Sequence, residues 1–252
     1  SISLQKENIN DKIVIRGEKI MKNCVIIVAA GSGKRMRSAI AKQYIELKGR
    51  TILSYTIETF NNSENIDDIV LVTSSDAVDY VRREIIEKYG FDKVRTIVEG
   101  GAERQDSVYK GLKAVDSDTD VVLIHDGVRP FVADKYIAEL ESIAMEFGGC
   151  VLGAPVKDTI KVCDSEGYIT DTPKRETLWL AQTPQCFKYD IIMKAYEKAE
   201  KEGYRGTDDS MLAERLGIRI KMVKGDYDNI KITTPEDLYM GEVILENIIK
   251  KR

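Results

Sequence analysis

The sequence holds a single histidine and a single tryptophan among 252 residues, and its four cysteines (Cys24, Cys150, Cys163 and Cys186) lie far apart with no C-x-x-C. That spacing argues against a thiolate metal cluster or a disulfide scaffold. It fits reduced thiols in a cytoplasmic enzyme. A surplus of positive charge is also missing: 38 Lys and Arg face 42 Asp and Glu, a net charge of −4. This excludes a general nucleic-acid binder, and any anionic ligand must be held by local cations, not by the overall field. No apolar run reaches the ~18 residues of a membrane span, so no membrane partner is expected. Residues 1–20 lack the long apolar centre of a signal peptide. There is no internal repeat and no low-complexity segment.

What is present suits a globular α/β protein. A hydrophobic fraction of 43% is enough for a real core. The length permits one large domain with an insertion, or two small ones. Met21-Lys22-Asn23 leads directly into the first strand. Residues 1–20 are therefore expected to be an extension outside the fold or a remnant of expression, with residues 21–252 forming one domain.

The chain is organised around Val25-Ile26-Ile27-Val28-Ala29-Ala30-Gly31-Ser32-Gly33-Lys34-Arg35-Met36. An apolar β-branched run, expected as a buried strand over 24–29, feeds a loop with little side-chain bulk. Small residues let backbone N–H groups line a concavity for anions. Arg35 adds a fixed positive charge and Lys42 a movable one. The dinucleotide fingerprint fails, because Met36 stands where its third glycine belongs. The Walker loop fails too, because Val28 stands at its first glycine and no Ser or Thr follows Lys34. The stretch suggests a nucleoside triphosphate site of another kind; taken alone, it also fits a glycine turn without a ligand.

Strand and helix patterns then alternate: helix 51–61, strand 68–73, helix 76–89, strand 94–98, helix 104–115, strand 120–124, helix 134–147 and strand 150–154. This predicts an α/β fold, a mostly parallel sheet flanked by helices on both faces. The pattern breaks at 156–184, where alternation around Ser165-Glu166-Gly167 signals a hairpin. Such an arm, about residues 157–184, has little core of its own and needs something to pack on, with a second subunit as the candidate. Helices 190–202 and 208–216, strand 218–223 and a final helix 235–249 complete the expectation. Thr207-Asp208-Asp209-Ser210 reads as a helix N-cap, and Thr234 as another.

In an open α/β sheet, ligands bind where the strands end. Gly100-Gly101 permits close backbone approach to a flat base. Arg104 and Ser107 share a helix face and can donate to a base or ribose. Asp126, after four apolar residues, is placed to hold Mg²⁺ between phosphates, or simply to cap a turn. Arg129 can hold an anionic substrate. His125 reads as structural before it reads as a general base. Arg175, on the far side of the hairpin, is able to reach another subunit's pocket. Lys231 is a third cation for a phosphate-rich site; standing alone it reads as a surface residue.

Eight ordered segments, A-A-G-S-G-K-R-M, K-Q-Y, G-G-x-x-R-x-x-S-V, H-D-G-V-R-P, P-V-K-D-T-I-K, L-W-L-A-Q-T-P-Q, T-D-D and N-I-K-I-T, resemble the 2-C-methyl-D-erythritol 4-phosphate cytidylyltransferases over residues 22–248. The resemblance implies a Rossmann-like nucleotidyltransferase with a β-arm that clasps a second subunit in a homodimer. It implies CTP as substrate and Mg²⁺ or another divalent cation held by Asp126. Arg35, Lys42, Arg175 and Lys231 correspond to catalytic positions. Ala29, Ala30, Gly31, Ser32, Gly33, Gly101, Arg104, Ser107 and Gly127 correspond to nucleotide contacts. Asp126, Arg129, Thr159, Arg175 and Lys231 correspond to contacts with the sugar-alcohol phosphate, Thr159 and Arg175 reaching in from the partner's arm.

Departures are Ala41 in place of proline before Lys-Gln-Tyr, Ala102 where some members are acidic, and Gly127-Val128 for Ala-Ala. H-D-x-V-R-P-F also occurs in ribitol-5-phosphate cytidylyltransferases, which leaves that acceptor as an alternative. A catalytically silent nucleotide-binding protein is the alternative of another class. The expected chemistry is in-line attack by the substrate phosphate on the α-phosphorus of CTP, with pyrophosphate leaving. The nucleophile is already an anion, so positioning and charge stabilisation replace a strong general base.

Overall fold

The structure, a computed structural model, describes residues 21–31 and 40–251. In chain order the elements are β1 (Asn23–Ala29), a 3₁₀ turn (Lys42–Tyr44), β2 (Glu46–Leu47), β3 (Arg50–Thr51), α1 (Ile52–Asn61) and β4 (Asp68–Thr73). A helical segment follows, with a 3₁₀ start (Ser75–Ala77), one α turn, α2 (Val78–Tyr80), and π turns (Val81–Glu87). Then come β5 (Val94–Glu99), α3 (Arg104–Lys113), β6 (Val121–Asp126), α4 (Lys135–Phe147), β7 (Gly149–Pro155), β8 (Val162–Cys163) and β9 (Ile169–Asp171). The chain closes with β10 (Trp179–Lys188), α5 (Tyr189–Glu202), α6 (Asp209–Glu214), β11 (Lys221–Lys224) and α7 (Pro235–Lys251).

One seven-stranded sheet, in the order β11-β7-β10-β6-β1-β4-β5, carries the fold. Strand β1 runs parallel between β4 and β6. A central parallel strand is covered on both faces, which is why its sequence shows no polar alternation. Val25 and Ile27 pack with Leu53, Ile57 and Phe60 of α1 and with Ile137 and Leu140 of α4. Cys24 and Ile26 pack on the other face with Val108 and Leu112 of α3, Ile192 and Tyr196 of α5, and Leu212 of α6. Helix α3 lies tight on the sheet, since a Cβ at Gly111 would come within 2.7 Å of Ile26 Cγ2. The result is the expected three-layer, mostly parallel α/β architecture.

The largest difference from the sequence reading is β10. Residues 179–184 were expected in the returning limb of the arm. Instead 179–188 form one strand that enters the main sheet antiparallel, between β6 and β7. Its signal is concealed because Gln182, Thr183 and Gln185 are buried polar residues and Pro184 interrupts the run. The register shifts between Ala181 and Gln185. The hairpin itself is where it was expected. The short strands β8 and β9 flank a turn in which Asp164 Oδ1 accepts from the Glu166 and Tyr168 amides, and every β8 and β9 residue is exposed.

Smaller shifts affect the ends. The expected helix 76–89 is a mixture of 3₁₀, α and π turns, and the expected strand 218–223 narrows to Lys221–Lys224. Asp208 does cap α6, accepting from the Met211 amide at 3.0 Å. Thr234 Oγ1 accepts from the Asp237 amide at the start of α7. No helix among the described residues is long and apolar enough to cross a membrane.

Candidate active site

A cavity of about 540 Å³ opens where β1 and β6 end. Ala29, Ala30 and Gly31 line it from the loop after β1, and Gly101, Arg104 and Ser107 from the start of α3. Lys42, Gln43, Glu103, Asp126, Lys231 and Thr233 complete the polar part of the wall. Nine of the residues expected in the site therefore meet in one space. Gln43 was not expected; it is buried, and its side-chain amide donates to the Ala29 carbonyl at 2.7 Å. This fixes the 3₁₀ turn that carries Lys42 against the end of β1.

Asp126 is the electrostatic centre. Its Oδ2 lies 2.8 Å from Lys231 Nζ and 3.5 Å from Arg129 Nε, and its Oδ1 accepts from Arg104 Nε at 3.2 Å. Burial by itself raises a carboxyl pKa, but the Arg104, Lys231 and Arg129 charges outweigh it and hold Asp126 well below the usual carboxylate range. Asp126 is thus an anion at any working pH. Burial pulls the Arg129 guanidinium down from its ordinary value. Arg129 Nη1 donates to the Asn229 carbonyl at 2.8 Å, tying it to the loop that leads to Lys231.

His125, next in sequence, is fully buried behind this carboxylate. Its Nε2 is 2.9 Å from the Arg129 carbonyl, which can only accept, so Nε2 carries the proton. Nδ1 then accepts from the Thr183 hydroxyl at 3.1 Å, and that hydroxyl accepts from the Asp126 amide. Burial lowers the imidazole pKa to about 4. The ring is a neutral strut that fixes the backbone at Asp126 and Arg129, in keeping with the structural reading.

At the start of α3 the Ser107 hydroxyl accepts from the Gly101 amide at 3.0 Å and donates to the Glu103 carbonyl at 3.1 Å. Its first task is to shape the Gly100-Gly101 loop, which the sequence reading did not foresee. A Cβ at Gly101 would stand 2.3 Å from Asp106 Cβ, and one at Gly100 would stand 2.3 Å from Ala30 Cβ. Packing thus demands both glycines. Arg104 makes a fork onto Asp209, with Nη1 to Oδ1 at 2.9 Å and Nη2 to Oδ2 at 2.8 Å. Asp209 was missed as a site residue because it follows the capping Asp208 and reads as part of the same cap.

Other expected residues lie elsewhere. Gly127 is buried behind the cavity, its amide on the Val28 carbonyl. Thr159 and Arg175 are exposed on the arm, and Arg175 Nη1 donates to the Lys157 carbonyl at 3.0 Å. Neither lines the cavity of its own chain. Ser32, Gly33 and Arg35 lie outside the described residues.

No group of three or more His, Cys, Asp or Glu able to hold a metal occurs among the described residues. The donor set nevertheless suits Mg²⁺, which takes one or two carboxylates and completes its shell with phosphate oxygens and water. Asp126 is ionised, faces the cavity, and keeps a spare lone pair on Oδ1 beside its bond to Arg104.

A model of the IspD family, described as 2-C-methyl-D-erythritol 4-phosphate cytidylyltransferase, matches residues 23–247. A relative of that name from Clostridium botulinum (strain Loch Maree / Type A3) is 52% identical over 227 residues, which are 90% of this chain and 99% of the relative. One from Alkaliphilus oremlandii (strain OhILAs), also so named, is 49% identical over 91% of this chain and 97% of its own. Among solved structures, 4-diphosphocytidyl-2C-methyl-D-erythritol synthase from Anaerococcus prevotii DSM 20548 is similar with a TM-score of 0.80 and 37% identity. It covers 90% of this chain and 96% of that one.

Proposed function

The chain belongs to the 2-C-methyl-D-erythritol 4-phosphate cytidylyltransferase family, and from that premise we propose how its residues carry out the transfer. The enzyme joins CTP and 2-C-methyl-D-erythritol 4-phosphate to give CDP-methylerythritol and pyrophosphate, a step of isoprenoid precursor synthesis. The matching family and relatives are named for methylerythritol phosphate, so the ribitol and non-catalytic alternatives are not favoured.

A phosphate oxygen of methylerythritol phosphate attacks the α-phosphorus of CTP in line. The new O–P bond forms as the bond to the β-phosphate bridging oxygen breaks, and pyrophosphate leaves with that electron pair. No proton has to be removed from the nucleophile. Lys42 and Arg35 neutralise charge on the triphosphate, and Lys231 and Arg129 hold the incoming phosphate. Preorganised cations of this kind stabilise charge that develops in the transition state without reorganising. Ala29, Ala30 and Gly31, with Ser32 and Gly33, cradle the phosphates. Gly101 approaches the base, with Arg104 and Ser107 beside it, and Gly127 supports the end of β1. Asp126 would hold a divalent cation, which when bound supplies Lewis-acid charge to the phosphates.

The observation that carries this reading is the meeting of Lys231, Arg129 and Arg104 on the Asp126 carboxylate at the strand ends. We further infer that the arm engages a second copy of the chain, which brings Thr159 and Arg175 to that copy's site. Support comes from Tyr168, Ile169 and Leu180, apolar side chains at least half exposed on or beside the arm. The four cysteines are free, one of them exposed, which agrees with a cytoplasmic enzyme. The test is pyrophosphate release from CTP and methylerythritol phosphate with and without a divalent cation. Release that needs both substrates and the cation supports the reading, and its absence rejects it.

A further inference from the structure

Asp209 is fully buried, yet it belongs to the six-residue helix α6 and not to the strand ends. It takes the whole fork of Arg104, and Tyr196 donates its hydroxyl to Asp209 Oδ1 at 2.5 Å. Arg104 in turn gives its Nε proton to Asp126 Oδ1, and Asp126 Oδ2 holds Lys231. Charges therefore alternate across the site: Asp209, Arg104, Asp126, Lys231. The neighbouring residues of α3 are fastened to the same stretch. Gln105 bonds the Tyr204 carbonyl and the Gly206 amide, each at 2.9 Å, and Asp106 pairs with Arg205.

We propose that Asp209 is a positioning residue for the nucleotide half of the reaction: it fixes the Arg104 guanidinium so that only its Nε edge meets Asp126. This inference rests on the cytidylyltransferase reading above. A bidentate carboxylate fixes both the plane and the rotation of a guanidinium. Without that anchor, Arg104 turns its two-pronged edge onto Asp126, the other carboxylate it touches. Arg104 then takes up the lone pairs left free on Asp126, Lys231 stays on Oδ2, and the carboxylate closes to a phosphate-bound cation. Nucleotide binding suffers, whereas the arm-borne contacts to the sugar phosphate do not change. An ion pair serving stability alone has a different signature: its loss lowers the melting temperature and leaves the two Michaelis constants in proportion.

Steady-state kinetics on the full chain tests this, with CTP and methylerythritol phosphate varied separately. Losing a charged hydrogen-bond pair predicts that Asp209→Asn raises the KM for CTP about tenfold, with kcat within about threefold and the KM for the sugar phosphate within about twofold. Tyr196→Phe, which conserves core volume, moves the CTP KM in the same direction by less. In an Arg104→Ala background, Asp209→Asn adds no further rise. A folded Asp209→Asn enzyme with an unmoved CTP KM overturns the proposal, as does an equal rise in both constants. If Asp209→Asn does not fold, an unchanged CTP KM in Tyr196→Phe overturns it instead. Wild-type enzyme that makes no pyrophosphate removes the functional reading and this inference together; active wild type with unmoved constants in the variants removes the inference alone.

Discussion

Lys231 Nζ lies 2.8 Å from Asp126 Oδ2, although 105 residues separate them in the chain (231 minus 126). Asp126 ends β6, and Lys231 follows a loop whose Asn229 donates to the Thr183 carbonyl of β10. The sheet end and that loop are thus locked together, and the ammonium is held on the carboxylate. Lys231→Ala is expected to raise the KM for methylerythritol phosphate and lower kcat together, since in the proposed mechanism the same charge serves binding and the transition state. Initial rates with each substrate varied measure this.

Lys42 stands on a turn fixed by Gln43. Lys42→Ala should cost on the order of 3 kcal/mol of transition-state stabilisation, as for one preorganised donor, or about a hundredfold in kcat. Single-turnover rates with saturating CTP are the check, and near-normal turnover removes Lys42 from the catalytic set.

Arg175 sits on the exposed arm, apart from its own chain's cavity. Arg175→Ala should raise the KM for methylerythritol phosphate more than that for CTP. Under the proposed arm exchange, in which each site takes its Arg175 from the other chain, mixed dimers of Arg175→Ala and Lys42→Ala chains should regain one working site. Mixed dimers no more active than either parent contradict the exchange.

Gly101 has no room for a methyl group, with Asp106 Cβ 2.3 Å from where it would lie. Gly101→Ala must therefore push the loop off the start of α3. The expected result is weaker CTP binding by calorimetry with a small change in melting temperature, because the loop lies outside the two main core clusters.

His125 sets an acid limit on stability. Its folded pKa is lowered by burial to about 4, against 6.5 for a free imidazole. The native protein excludes a proton that the unfolded chain binds, so this contribution is complete above pH 6.5 and is lost as pH falls from 6.5 to 4, to a total of about 3 kcal/mol. Asp126 adds to the loss at lower pH: its depressed pKa gives stability that is present above about 4 and disappears as acid protonates it. Urea unfolding at stepped pH should show the first slope in wild type and lose it in His125→Gln.

Much of this was legible in the sequence where one local rule decides. The doubly apolar run of β1, the hairpin around Gly167 and the caps at Asp208 and Thr234 each obey short-range physics, and the residues after β1 and β6 could be read as a site from topology alone. Strand β10 was concealed because its buried face is polar: Gln182, Thr183 and Gln185 are inside to bond Asn229, His125 and Asp208. Asp209 was hidden for the same reason, since its partner Arg104 is 105 residues away (209 minus 104) and no local pattern links them. Ser107 was assigned to a ligand, but its hydroxyl also holds the loop before it. Long-range polar pairing is what sequence periodicity does not encode.

We place cytidylyl transfer at the carboxylate that ends β6, among the cations around it. Phosphorus NMR of CTP, methylerythritol phosphate and Mg²⁺ with wild type and with Asp126→Asn tests it most directly. Wild type should give equal amounts of pyrophosphate and CDP-methylerythritol, and a folded Asp126→Asn protein should give neither signal. Undiminished turnover by that variant would contradict this placement.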